Sequence, residues 1–146
     1  MIRCMLIDDD IDDQEIFTVA AHRTGEEVFV VAVSTCGEGL RLLTNGSLEK
    51  PDYIFIDLNM PLQNGKECLQ NIREIEALSS IPIFMHSPAI DNSTISEISQ
   101  LGATGFVKKP NSIAVLTAYL LEIFTRASPA PGIGQVKTSP LFFERP

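Results

Sequence analysis

Basic residues are scarce in this chain: eleven Lys and Arg stand against nineteen Asp and Glu, a formal charge of −8. An acidic surface repels a phosphate backbone, which argues against nucleic acid as a ligand and for a metal cation or a basic partner surface. Cysteine is sparse as well. Cys4, Cys36 and Cys68 are scattered without a C-x-x-C pair, so three reduced thiols are expected. There is no G-x-x-x-x-G-K and no G-x-G-x-x-G cradle for a nucleotide. His22 and His86 lack metal-ligand spacing and are expected to be structural. No apolar run approaches a membrane span, and Met1–Ile7 is too short for a leader before the acids begin, so a cytoplasmic protein is expected.

What is present is an alternation. Ile2–Ile7, Val28–Val33, Tyr53–Ile56, Ile81–Met85 and Gly105–Val107 are short, nearly continuous apolar runs, as in strands covered on both faces. Between them lie helical spacings. The first is about Asp12–Arg23, with Ile16, Val19 and Ala20 on one stripe. Gly37–Asn45 and Gly65–Leu78 follow, then Ser93–Leu101 closed by Gly102. The last is Ser112–Phe124, with Asn111 as its cap. The order βαβαβαβαβα predicts a doubly wound α/β domain over residues 1–126, because right-handed crossovers place helices on both faces of a parallel sheet. From Ala127 the Pro and Gly content rises, and 127–146 reads as an extended or disordered tail whose Leu141-Phe142-Phe143 is apolar enough to dock.

In such sheets, sites form at the carboxyl ends of the strands. Asp8, Asp9 and Asp10 follow the first strand, Asp57 ends the third, Ser87 the fourth, and Lys108-Lys109-Pro110 the fifth. Each residue alone has an ordinary explanation, such as a turn, a helix cap or a surface lysine. Together they converge on one edge. Carboxylates about 4 Å apart repel by roughly 4 kcal/mol per pair at an effective dielectric near 20. Mg²⁺ or Mn²⁺ offsets this, being hard and oxygen-seeking, and retains waters that a phosphate can replace. The assembly reads as a phosphoryl acceptor. Asp57 is the nucleophile, and Lys109 and Ser87 grip the phosphoryl group. This requires Asp9 and Asp57 to reach one ion and Lys109 to point at them.

On these residues the chain resembles the response-regulator receiver family over about Met1–Arg126. The acidic pair falls on Asp8 and Asp9 in LIDDD, the phosphorylated aspartate on Asp57 in YIFIDLNMP, the loop on Met60-Pro61 and Gly65, the hydroxyl on Ser87, and the lysine on Lys109 in FVKKP. The resemblance implies a five-stranded flavodoxin-like sheet of order 2-1-3-4-5. It also implies metal ligation by Asp9, Asp57 and the Asn59 backbone carbonyl, with Asp8 acting through water, and a cis bond before Pro110. Asn59 and Ala89 flank the site and would tune phosphate lifetime. The implied donor is a sensor histidine kinase or histidine phosphotransfer protein. Output passes through protein contact on the helix 4–strand 5–helix 5 face, a homodimer included. The run LIDDDIDDQEIF is similar to single-domain receivers with extra acids. Three departures stand out: Ser87 replaces the more frequent threonine, Pro88 removes an N–H donor beside it, and the switch aromatic is Phe106 rather than tyrosine. A phosphorylation-independent interaction module is the alternative. An aspartyl-nucleophile phosphohydrolase would need an acid where Asn59 stands.

Overall fold

The computed structural model describes residues 1–61 and 63–126, so the expectations about 127–146 lie outside the described residues. Five strands, β1 Ile2–Ile7, β2 Val28–Val33, β3 Tyr53–Asp57, β4 Ile83–Ser87 and β5 Gly105–Lys108, alternate with five helices, α1 Ile11–Arg23, α2 Cys36–Thr44, α3 Gly65–Arg73, α4 Asn92–Gln100 and α5 Ile113–Thr125. The strands form one parallel sheet of order β2-β1-β3-β4-β5. The central runs are continuously apolar because both faces are covered. Cys4, Leu6, Phe55, Phe84 and Val107 lie under α1 and α5, while Met5, Ile7, Ile54, Ile56 and Met85 join the core beneath α2, α3 and α4.

Local chemistry sets the helix starts. Asp10, Thr35, Asn64, Asp91 and Ser112 each accept a hydrogen bond from the amide three residues on. The cap of α5 is therefore Ser112 and not Asn111, because only the Ser112 hydroxyl meets the Val115 amide, at 3.2 Å. Gly102, at φ 102°, closes α4 as its sequence position suggests, with the Ala103 amide donating to the Ile98 carbonyl.

Several expectations need correction. In α1 the buried stripe is Phe17, Ala20 and Ala21, while Ile16 faces outward, 39% exposed. The larger Phe17 ring claims the core by stacking edge-on against Phe55 at 4.9 Å. The third helix does not run to Leu78. Ile75 turns extended, a short 3-10 turn follows over Glu76–Leu78, and Arg73 captures the freed Ser79 and Ile81 carbonyls at 3.0 and 2.7 Å. The fourth strand starts at Ile83, after Pro82, and not at Ile81. The Lys109–Pro110 bond is trans, the default form, and the Lys109 amide continues the ladder to the Ser87 carbonyl at 2.8 Å.

The largest correction concerns the cysteines. Cys36 and Cys68 form a disulfide, their Cα atoms 5.7 Å apart, and both are buried. Their 32-residue separation concealed this. Two right-handed crossovers carry α2 and α3 to the same side of the sheet, where the first residue of one helix meets the second turn of the other. Cys4 remains a buried thiol, pushed well above the usual cysteine range first by burial and then by Asp52.

Candidate functional site

The carboxyl edge of the sheet gathers polar residues from four strand ends. Register sets Asp57 beside His86 and Ser87 beside Lys108, so Lys109 leaves β5 one step above Ser87. Asp8, Asp9 and Asp57 each bring a carboxylate oxygen to within 4.8 Å of the others'. Asp8 is fully buried and Asp57 is 4% exposed, whereas Asp9 sits at the rim. Three hard oxygen donors at that spacing, one open to water, suit a hydrated divalent cation of the Mg²⁺ or Mn²⁺ type. The N–H of Asn59 donates to Asp57 Oδ1 at 3.1 Å, which turns the backbone after Asp57 back toward the carboxylate.

Lys109 supplies the local positive charge. Its Nζ lies 3.0 Å from Asp8 Oδ2, 2.8 Å from Asp13 Oδ2 and 3.6 Å from Asp57 Oδ1. Burial alone would lower its ammonium, but the hydrogen bonds to Asp13 and Asp8 outweigh it and hold the group above the ordinary lysine value. Burial raises the Asp57 carboxyl to about 6; the Asn59 amide and Lys109 pull it down, and Asp8 and Asp9 push it up. Asp8 is raised too, again first by burial. Burial is thus the main reason both carboxyls are raised, Lys109 offsets it only in part, and a cation there would offset more.

Asp13 and Gln14 belong to the site but were not singled out from the sequence. The signal was the density of acids in LIDDDIDDQ. Once Asp10 caps α1 through the Asp13 amide at 3.1 Å, Asp13 falls one turn along, facing Lys109. Gln14 Nε2 donates to the Asp8 carbonyl at 2.7 Å and to Ser34 Oγ at 3.1 Å, tying the start of α1 to the segment after β2. Asp10 itself has the cap role, with its own amide donating to Asp8 Oδ1.

Ser87 is buried beside the acids. Its hydroxyl donates to the Ala89 carbonyl at 2.8 Å and accepts from the Asn59 side-chain amide at 3.4 Å, so the turn through Pro88 holds it in place. Phe106 has no exposed surface. With no hydroxyl to keep wet, its ring lies wholly within the core. Gly65 has a steric role, since a Cβ there would stand 2.3 Å from the Asp57 carbonyl oxygen. Only glycine lets α3 begin against the backbone of the central acid. His86 is fully enclosed and faces Phe17 edge-on at 6.1 Å, and burial, with Lys109 second, lowers it to about 3, so it is neutral. His22 is exposed in the last turn of α1.

Known proteins share this fold. The family described as "Response regulator receiver domain" matches residues 4–121. The chemotaxis protein CheY-3 of Vibrio cholerae is 37% identical over 81 residues, which is 54% of this chain and 62% of that protein, so the alignment spans less than two thirds of the relative. The bacteriophytochrome response regulator RtBRR superposes with a TM-score of 0.69 at 29% identity, covering 94% of this chain and 88% of the other. The Mn²⁺-bound form of the response regulator Rcp1 superposes with a TM-score of 0.75 at 18% identity, covering 89% and 100%, a likeness of fold. With the family's sheet order reproduced and its domain matched across most of the length, the chain belongs to the response-regulator receiver family.

Proposed function

We propose that this receiver is a phospho-switch that takes a phosphoryl group onto Asp57 from a phosphohistidine of a kinase or phosphotransfer protein, and signals by altered protein contact. The observation that carries the reading is the meeting of Asp8, Asp9 and Asp57 oxygens within 4.8 Å, with Lys109 Nζ 3.6 Å from Asp57. Asp9, Asp57 and the Asn59 carbonyl would hold the cation, with Asp8 supporting it through water. A Mn²⁺-bound relative of the same fold supports that assignment. When bound, the cation screens the phosphoryl oxygens from the surrounding carboxylates.

The residues divide the work. An Asp57 carboxylate oxygen attacks phosphorus in line, the bond from phosphorus to the donor imidazole nitrogen breaks, and that nitrogen keeps the electron pair and takes up a proton. Lys109 exchanges Asp13 and Asp8 for a phosphoryl oxygen. Ser87 redirects its hydroxyl from the Ala89 carbonyl to another. Because Phe106 is already inward, the change passed on is that of the 88–91 turn and α4 rather than an aromatic swing. The exposed Ile11 and Ile16 of α1, 63% and 39% accessible and next to the acids in sequence, offer an apolar contact for the phosphodonor. The chain would act on itself alone, catalysing its own phosphorylation and dephosphorylation. The side-chain amide of Asn59 cannot protonate a leaving group, so turnover of phosphate esters is not expected.

Incubation with Mg²⁺ and acetyl phosphate is expected to add one hydroxylamine-labile phosphoryl group, lost in Asp57→Asn and in metal-free buffer. A chain that gains no such mass, yet still captures its partner, would be a phosphorylation-independent module. Asp13→Asn is expected to speed labelling a few-fold, since it releases Lys109 toward the incoming phosphoryl group; a slower rate would make Asp13 part of the acceptor machinery.

A further inference from the structure

The Cys36–Cys68 bond joins the start of α2 to α3 within the aliphatic core. Of the nine residues of α2, only Cys36 and Gly39 are buried. Near its start the helix sits tight on the sheet: a Cβ on Gly39 would come within 2.9 Å of the Ile7 side chain. Its far end lies over a cavity of about 160 Å³ lined by Met5, Val31, Leu42, Leu43 and Leu78 among others. Leu40, Leu42 and Leu43 pack against the core only in part, and α2 adds a covalent tie at its first residue.

That tie also connects two supports of the acidic pocket. Two residues before Cys36, Ser34 receives the Gln14 amide that also holds the Asp8 carbonyl, and the Asp8 amide donates to Val33 at 3.0 Å. One turn before Cys68, Gly65 lies against the Asp57 carbonyl, and its amide donates to Leu58 at 3.0 Å. One sulfur is therefore attached to the element that seats Asp8, and the other to the element that seats Asp57.

We infer that Cys36 and Cys68 form a reversible thiol–disulfide site whose redox state sets how tightly the pocket binds a divalent cation and a phosphoryl group. The co-reactant is a dithiol. Its thiolate attacks one sulfur, the Cys36–Cys68 bond breaks, and the departing thiolate takes a proton. The second thiol then resolves the mixed disulfide, leaving two cysteine thiols and an oxidised, cyclic dithiol, with two electrons transferred. The buried sulfurs become accessible when α2 lifts over its cavity, a local opening of the kind that short, sparsely packed helices undergo. Once reduced, α2 and α3 are free to part, and the Asp8 and Asp57 oxygens lose their fixed spacing. The coupling half of this inference rests on the phosphoacceptor reading above.

The test uses the full chain, equilibrated in oxidised glutathione or in dithiothreitol, then denatured and alkylated for mass analysis. One alkylated thiol, Cys4, is expected after oxidation and three after reduction. Three thiols, or glutathione adducts on Cys36 or Cys68, in the oxidised sample overturn the inference. The Mg²⁺ and beryllofluoride affinities of the two forms are then compared by titration calorimetry. A weakening on the order of fivefold or more is expected in the reduced form. Cys36→Ser should bind like reduced protein in both buffers; a redox-dependent affinity that persists in Cys36→Ser overturns the assignment to this pair. Equal affinities in both wild-type forms, with Asp57 still phosphorylated, overturn the coupling and leave the phosphoacceptor reading intact. Failure of both forms to bind Mg²⁺ and to accept phosphate overturns both.

Discussion

The two faces of the sheet are held by different means. Under α1 and α5 the core is aromatic: Phe17, Phe55 and Phe84 pack ring on ring, Tyr53 meets Phe124 at 5.6 Å, and the Tyr53 hydroxyl donates to the Ile123 carbonyl at 3.3 Å. Under α2 and α3 the core is mostly aliphatic, a cavity remains open, and a disulfide joins the helices. The site straddles this boundary. Asp13 stands on α1, on the aromatic side, Asp8 is tied through Gln14 and Ser34 to both α1 and the segment before α2, and the loop after Asp57 runs into α3. Large rigid side chains fill space with little entropy to lose, so the first face gains its stability from packing. The second packs aliphatic side chains, adds a covalent constraint and keeps a cavity beneath α2.

That contrast can be tested, from the largest expected effect down. Phe84→Ala, which removes a 1% exposed ring stacked on Phe55 at 5.5 Å, should cost about 3–5 kcal/mol by urea unfolding. A loss under about 1 kcal/mol would mean the aromatic face is not the stiffer one. Reducing the Cys36–Cys68 bond, which closes a 32-residue separation, should cost roughly 3 kcal/mol. Amide exchange should quicken in α2 and α3 and stay unchanged in α1; equal quickening in α1 and α5 would erase the distinction.

The third effect is electrostatic. Burial first of all raises Asp57 from 3.8 to about 6, so the native state holds this proton more tightly than the unfolded chain. The associated stability is fully present below about pH 4 and is lost as pH rises through 6, on the order of 3 kcal/mol. Metal-free wild type should therefore lose stability over that window relative to Asp57→Asn, and Mg²⁺ should restore it. Parallel pH profiles for the two proteins would show that the pocket is wetter than its burial indicates. The smallest effect is expected from Leu43→Phe, which partly fills the cavity under α2 and should add about 0.5–1 kcal/mol. A loss instead would show that α2 already sits as close to the sheet as it can.

Much of this was legible in the chain itself. Alternating apolar runs and helical spacings specify a parallel sheet with covered faces, and Asp8, Asp9, Asp57, Ser87 and Lys109 stand at strand ends because a change from apolar to polar residues marks where a buried strand meets water. Other features were hidden. Ile16 and Phe17 are neighbours of similar hydropathy, and only the fit against Phe55 decides which turns inward. Periodicity continues past Arg73, but the helix ends there, Ile75 turns extended, and Arg73 donates to the Ser79 and Ile81 carbonyls that follow. Asp13 looked like one acid among many until the Asp10 cap set its phase on α1.

Taken alone, the sequence determined the order of elements, the acidic edge and the residue types available for chemistry, since these depend on local pattern and charge. The tertiary structure alone decided that Cys36 meets Cys68, that Lys109 rests on Asp8 and Asp13 while standing near Asp57, and that Phe106 lies inside. Such pairings depend on which distant segments the crossovers bring within a few ångströms, and short-range periodicity carries no record of that distance.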